Sequence, residues 1–130
     1  MNTPCVAGLD HLVITVADIS KTIDFYREIL GMEVVEFGPG RKALKFGSQK
    51  INLHQKGAEF EPKAEMPTPG SADLCFLSPN PLEEWFETLT SHAISVVEGP
   101  VNRTGATATI RSIYIRDPDG NLIEISNLLQ

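Results

Sequence analysis

The first readable element is an alternating stretch. Residues Asp10-His11-Leu12-Val13-Ile14-Thr15-Val16 are short and β-branched and predict a strand. Alternation puts His11, Val13 and Thr15 on one face and Leu12, Ile14 and Val16 on the other. The period then lengthens. Ile19, Ile23, Tyr26 and Ile29/Leu30 recur at helical spacing behind Asp18, an N-cap residue by type, and Gly31 marks the helix end. Three strands are predicted next, over 33–37, 41–46 and 50–55, with Gly38-Pro39-Gly40 and Gly47-Ser48-Gln49 as the breaks between them.

Residues 56–71 hold three prolines and two glycines without any period and read as a connecting loop. The second half then starts afresh. Residues 73–77 form a short apolar strand, and Asn80-Pro81 reads as a cap followed by proline at the first helical position. Leu82, Trp85, Phe86 and Leu89 give the buried stripe of that helix. Strands are predicted over 94–98, 110–116 and 121–126, the last two joined by the turn Asp117-Pro118-Asp119-Gly120.

The order of elements therefore repeats, and so does the register. A 62-residue shift lays Asp73 over His11, Asn80 over Asp18 and Val96 over Val34 without a gap. A 72-residue shift lays Ile123-Glu124-Ile125 over Ile51-Asn52-Leu53. The predicted class is α+β: two βαβββ units in a cupped mixed sheet, with a helix on one side of each unit and the cup on the other. One domain over 1–130 is expected, with unit one at about 8–56, a linker at 57–70 and unit two at about 71–128.

Composition narrows the class of partner. The chain is 42% hydrophobic and 22% charged, ordinary globular material, with a net charge of -6. Acidic balance disfavours nucleic acid or an anionic membrane surface as partner. No apolar run is long enough to span a bilayer, and the first residues lack the pattern of an export signal. Cys5 and Cys75 share no short spacing, which suits a reduced, cytoplasmic protein; Cys75, in an apolar run, is expected to be buried.

The repeat also places the chemistry. First strands offer His11 and Asp73; last strands offer Asn52, with His54 on its face, and Glu124. If both units face one cup, these side chains converge. Imidazole nitrogen with carboxylate oxygen suits a divalent metal ion such as Zn, Ni, Mn or Fe, and three ligands leave positions open for substrate. His11 and Glu124 are the anchoring pair, with the remaining ligand open between His54 and Asp73. His92 follows the second helix and is given no role. The segment Asn102 to Thr107 lacks strand period and sits where a lid would, with Arg103 able to grip a carboxylate or phosphonate.

Three segments resemble the vicinal oxygen chelate superfamily, which includes glyoxalase I, fosfomycin resistance proteins, extradiol dioxygenases and bleomycin resistance proteins. They are Leu9 to Asp18, the "FY…LG" helix Thr22 to Met32, and the "DPDG…E" hairpin Tyr114 to Glu124. The resemblance spans about residues 8–128 and implies the glyoxalase/bleomycin resistance/dihydroxybiphenyl dioxygenase fold. It implies metal ligation by His11 and Glu124, with His54 standing in for the glutamate that glyoxalase I has at the position of Asn52. The histidine that the family often has at the start of the second unit is Asp73 here. Tyr114 matches a position that faces the active site in the fosfomycin group. The implied activity is a metal-dependent, glyoxalase-type reaction on a small molecule such as a thiol adduct, with Glu124 as the proton-abstracting residue. The alternatives are fosfomycin-type thiol or water addition, or a drug-sequestering protein without catalysis. The implied assembly is a homodimer.

Overall fold

The protein is described, over residues 3–129, by a computed structural model. Ten elements run in the order β1 (His11–Val16), α1 (Ile19–Glu28), β2 (Glu33–Glu36), β3 (Lys42–Phe46), β4 (Gln49–Gln55), β5 (Asp73–Leu77), α2 (Leu82–Ser91), β6 (Glu98–Thr104), β7 (Thr109–Arg116) and β8 (Leu122–Leu128). They make two four-stranded sheets of the same topology, β1-β4-β3-β2 and β5-β8-β7-β6. In each, the first strand runs parallel to the last and the other pairs are antiparallel. Register repeats as well: Val13 lies opposite Asn52, and Cys75 lies opposite Glu124.

Each sheet buries one face. Ile14, Val16, Leu44, Ile51 and Leu53 from the first sheet and Ile113, Ile115, Ile123 and Ile125 from the second join Phe25, Tyr26, Leu82 and Leu89 in one core. Phe46 and Phe76 meet edge to face across the two sheets at 5.1 Å. The opposite, open faces carry the alternate residues: His11, Val13, Thr15, Asn52 and His54 on the first sheet, and Cys75, Leu77, Ser112, Tyr114, Glu124 and Ser126 on the second. No helix among the described residues is long and apolar enough to cross a membrane.

The helices start differently. Asp18 caps α1, its Oδ1 accepting from the Lys21 amide at 3.2 Å. In α2 the cap position belongs to Pro81, with no side-chain cap bond, and Asn80 instead reaches Glu84. The missing cap is supplied by the sheet: Asn127 Oδ1 accepts from the Leu82 amide at 3.0 Å. Gln55 does the same for α1, accepting from the Ile19 amide at 3.1 Å. Gln55 and Asn127 occupy matching positions of the repeat, so each last strand ties down the helix of its own unit.

Three local expectations are corrected. Residues 94–97 are not a strand; the second strand of unit two is β6, Glu98–Thr104. Gly99-Pro100 forms an irregularity inside this edge strand, where a missing amide donor is tolerated. The stretch that begins at Asn102 is consequently paired strand through Thr104, with Asn102, Arg103 and Thr104 opposite Arg111, Ile110 and Thr109, and not a free lid. Cys75 is exposed because the alternation turns its side chain to the open face.

Candidate functional site

Glu124 sits on β8, flanked in its sheet by β5 and β7, with Cys75 on one side and Tyr114 on the other. Core residues Ile123 and Ile125 fix the strand, so the carboxylate is turned to the open face. Its Oε2 accepts from Ser112 Oγ at 2.5 Å and from Ser126 Oγ at 3.5 Å, and the two hydroxyls lie 2.7 Å apart. Both serines are fully buried, which makes this a rigid cradle for one oxygen of the carboxylate. The cradle holds Oε2 and leaves Oε1 outside it, with the Cys75 thiol beside the carboxylate. Cys75 Sγ lies 3.3 Å from Ser126 Oγ. Although Cys75 is exposed as a residue, partial shielding of its sulfur against the sheet, and after it Glu124 beside it, push the thiol up despite the Ser126 bond, so Cys75 is a neutral thiol here.

Two spaces adjoin Glu124. One cavity of about 480 Å³ is lined by Cys75, Leu77, Ile110, Leu128 and residues 103–107. A second, of about 390 Å³, holds Asp73, Glu98, Arg103 and Tyr114. Arg103 donates from Nε to the Tyr114 hydroxyl at 2.9 Å and from Nη2 to Glu98 at 2.8 Å. Arg103, Tyr114 and Glu124 therefore share one sheet face, with the arginine already engaged by Tyr114 and Glu98.

His54 belongs to the other sheet. It is 4% exposed and meets Phe60 edge-on at 5.6 Å. Burial, and after it the Arg41 cation, hold its imidazole below the usual histidine range, so it is neutral and able to use a ring nitrogen as a ligand. It opens with Thr15 on a cavity of about 470 Å³ roofed by Pro62, Lys63, Met66 and Pro67 of the connecting loop. His11 stands at the start of β1, its Nδ1 2.9 Å from Asp10 Oδ1. That bond leaves Nε2 as the nitrogen available for a ligand. Asn52 is 6% exposed, and its Oδ1 is buried without a partner.

Within one chain, then, the expected convergence does not occur. His11 and His54 lie on the open face of the first sheet, Asp73 and Glu124 on that of the second; the cavity beside His54 is not lined by Glu124, and the two beside Glu124 are not lined by His54. Among the described residues no three His, Cys, Asp or Glu side chains come together as a group able to hold a metal ion. The physical reason is the shared core: both sheets turn their apolar faces inward to it, so their open faces diverge.

Relatives were found along nearly the whole chain. "Virulence protein STM3117" of Salmonella typhimurium is 64% identical over 118 residues, covering 91% of this chain and 82% of the relative. Its crystal structure superposes with a TM-score of 0.94 at 60% identity, covering 97% of this chain and 100% of that one. "Glyoxalase domain-containing protein RDO1" of Mycosarcoma maydis is 65% identical over 122 residues, 94% of this chain and 69% of the relative. "Metallothiol transferase FosB" of Staphylococcus epidermidis is 27% identical over 120 residues, 92% of this chain and 83% of the relative. The model of the Glyoxalase/Bleomycin resistance protein/Dioxygenase superfamily matches residues 8–125, and with the fold described above it establishes that the chain belongs to that superfamily.

Proposed function

We propose that the protein is a metal-dependent, small-molecule enzyme of glyoxalase type that works as a homodimer. The two open faces meet between copies, so that His11 and His54 of one copy and Glu124 of the other surround a divalent ion, whether Zn, Ni, Mn or Fe. The observation that carries this reading is Glu124: a carboxylate on an open face with one oxygen fixed by two buried serines. Exposed apolar residues support a second copy over these faces, since Val13 is 44% exposed, Leu77 57% and Leu128 52%. A bound divalent ion supplies a Lewis acid for two adjacent oxygens of a ligand. The protein's own part is to hold that ligand against Glu124, whose carboxylate would accept a proton from the carbon beside a carbonyl. Arg103 and Tyr114 line the substrate space on the Glu124 side.

Similarity to a metallothiol transferase favours a second reading, in which a thiol adds to an electrophilic small molecule at the same place. Both readings are tested by metal analysis of the chain purified without added metal. A stoichiometric divalent ion is expected, reduced in His11→Ala, His54→Ala and Glu124→Ala and retained in Asp73→Ala. Retention in His54→Ala with loss in Asp73→Ala moves the third ligand to Asp73. Absence of any stoichiometric ion in the folded parent protein sinks both readings.

A further inference from the structure

The first sheet carries a second polar feature on its open face, which the metal reading does not use. Arg41 precedes Lys42, whose partner on β4 is Leu53, so it stands beside His54. Its guanidinium carbon lies 4.4 Å from the centre of the Phe60 ring and 5.0 Å from that of Phe37. Lys50 Nζ lies 3.9 Å from the centre of the same Phe37 ring. Two cations are therefore gathered around one aromatic side chain. Neither pairs with a carboxylate among the described residues. The nearby acids of the connecting loop are occupied: Glu61 binds Lys63, and Glu59 accepts from the Gly57 amide. Arg41 Nε is buried with no hydrogen-bond partner, and so is Asn52 Oδ1 on the neighbouring strand.

Each of these groups is costly as it stands. Buried donors and acceptors nearly always find partners, and a cation stacked between rings has lost part of its hydration without gaining a counter-charge. Aromatic stacking fixes the guanidinium plane in advance, which suits two-pronged capture of a planar or tetrahedral anion. Arg103, by contrast, already spends its donors on Glu98 and Tyr114.

We propose that Arg41, with Lys50 and Asn52, recognises the anionic end of the small molecule bound at this face, a carboxylate or a phosphonate-type group. Asn52 Oδ1 accepts from a hydroxyl or N–H of the same molecule. The assignment rests on the reading of this face as a small-molecule site and names the class of ligand it takes.

The test is titration of the full chain, with and without chelator, by acetate, inorganic phosphate and methylphosphonate. Binding is read by calorimetry and by the Nε–H resonance of Arg41 in nitrogen-15 spectra. At least one anion should saturate and move that resonance. Acetate alone marks a carboxylate ligand, and phosphate or methylphosphonate alone a tetrahedral one. Arg41→Met should weaken binding roughly ten-fold or more, whereas Arg27→Met on α1 should not. Glu124→Ala should lose metal yet keep the anion, which separates a failure of the metal reading from a failure of this one. A resonance of Arg41 that no anion moves, or binding equal in the parent and Arg41→Met, overturns the proposal. The parent resonance decides the matter even if Arg41→Met does not fold.

Discussion

The Tyr26 hydroxyl donates to Asp117 Oδ2 at 2.6 Å and thereby ties the helix of the first unit to the β7–β8 turn of the second. Asp117 is the hub of that turn. It also accepts from the amides of Asp119 and Asn121 and from Asn121 Nδ2, all within 2.9 Å. Asp119 in turn accepts from the Ala17 amide, and Asn121 Oδ1 from the Ala72 amide. The two most recognisable motifs of the chain are thus one buried clasp between its halves. Tyr26→Phe should lower stability by about 1–3 kcal/mol, the cost of leaving a buried acceptor short of a charge-assisted bond. Asp117→Ala should cost more, because it strands several donors at once. Urea unfolding midpoints of the two variants test this ordering.

The same bond sets the behaviour at high pH. Burial first, then the charge of Asp117 and the hydrogen bond to it, push the Tyr26 phenol far above the usual tyrosine range. The unfolded chain loses this proton near pH 10 while the folded chain keeps it. Its contribution to stability is therefore complete below about pH 10 and is lost as pH rises beyond that. Phenolate absorbance near 295 nm, taken as the difference between the parent and Tyr26→Phe, should appear together with unfolding rather than before it. A Tyr26 phenolate in the folded protein would contradict the clasp.

Gly99 is predicted to be the least replaceable residue of β6. Its φ is +112°, and an added Cβ would stand 2.5 Å from the Ser112 carbonyl oxygen. Ser112 holds Glu124, so the clash falls on the strand that carries the cradle. Gly99→Ala should cost roughly 1–3 kcal/mol or more in backbone strain and displaced strand pairing. Thermal unfolding of the variant measures it, and an unchanged midpoint would show that the strand irregularity is dispensable.

Much of this architecture was legible in the residues. Period changes at Asp18 and at Pro81 mark both helices, and the alternation through His11 and Glu124 assigns those side chains to open faces. The repeat of Val13 and Asn52 by Cys75 and Glu124 follows from the two shifts alone. Long-range geometry was not legible. Both units show a polar face, but the sequence does not say whether those faces meet within one chain; the shared core turns them apart. β6 was hidden because glycine and proline signal a break by type, while an edge strand accommodates them. The Arg41 cluster was missed because Phe37 and Phe60 come from a hairpin and a loop, and only the fold brings them to one side chain.

Ser112 offers a test of the cradle that spares the carboxylate. Ser112→Ala removes the 2.5 Å bond to Glu124 Oε2 and leaves only the longer one from Ser126. If Glu124 is a metal ligand, loss of this orienting partner should weaken metal affinity about 10–100-fold. Competition with a coloured chelator reads that change directly. Equal affinity in the parent and Ser112→Ala would mean that Glu124 does not hold the ion.

The proposed site is assembled between copies, from faces that diverge within each chain. Mixing two inactive variants, His54→Ala and Glu124→Ala, addresses this most directly, with bound metal as the readout after partial denaturation and refolding together. In a mixed dimer one site joins the intact His54 of one chain to the intact Glu124 of the other. With random pairing in a two-fold dimer, about a quarter of all sites should regain metal. Either variant refolded alone should stay at its own reduced metal content. A mixture that stays as empty as its components, while mixed dimers are demonstrably present, would contradict a shared site.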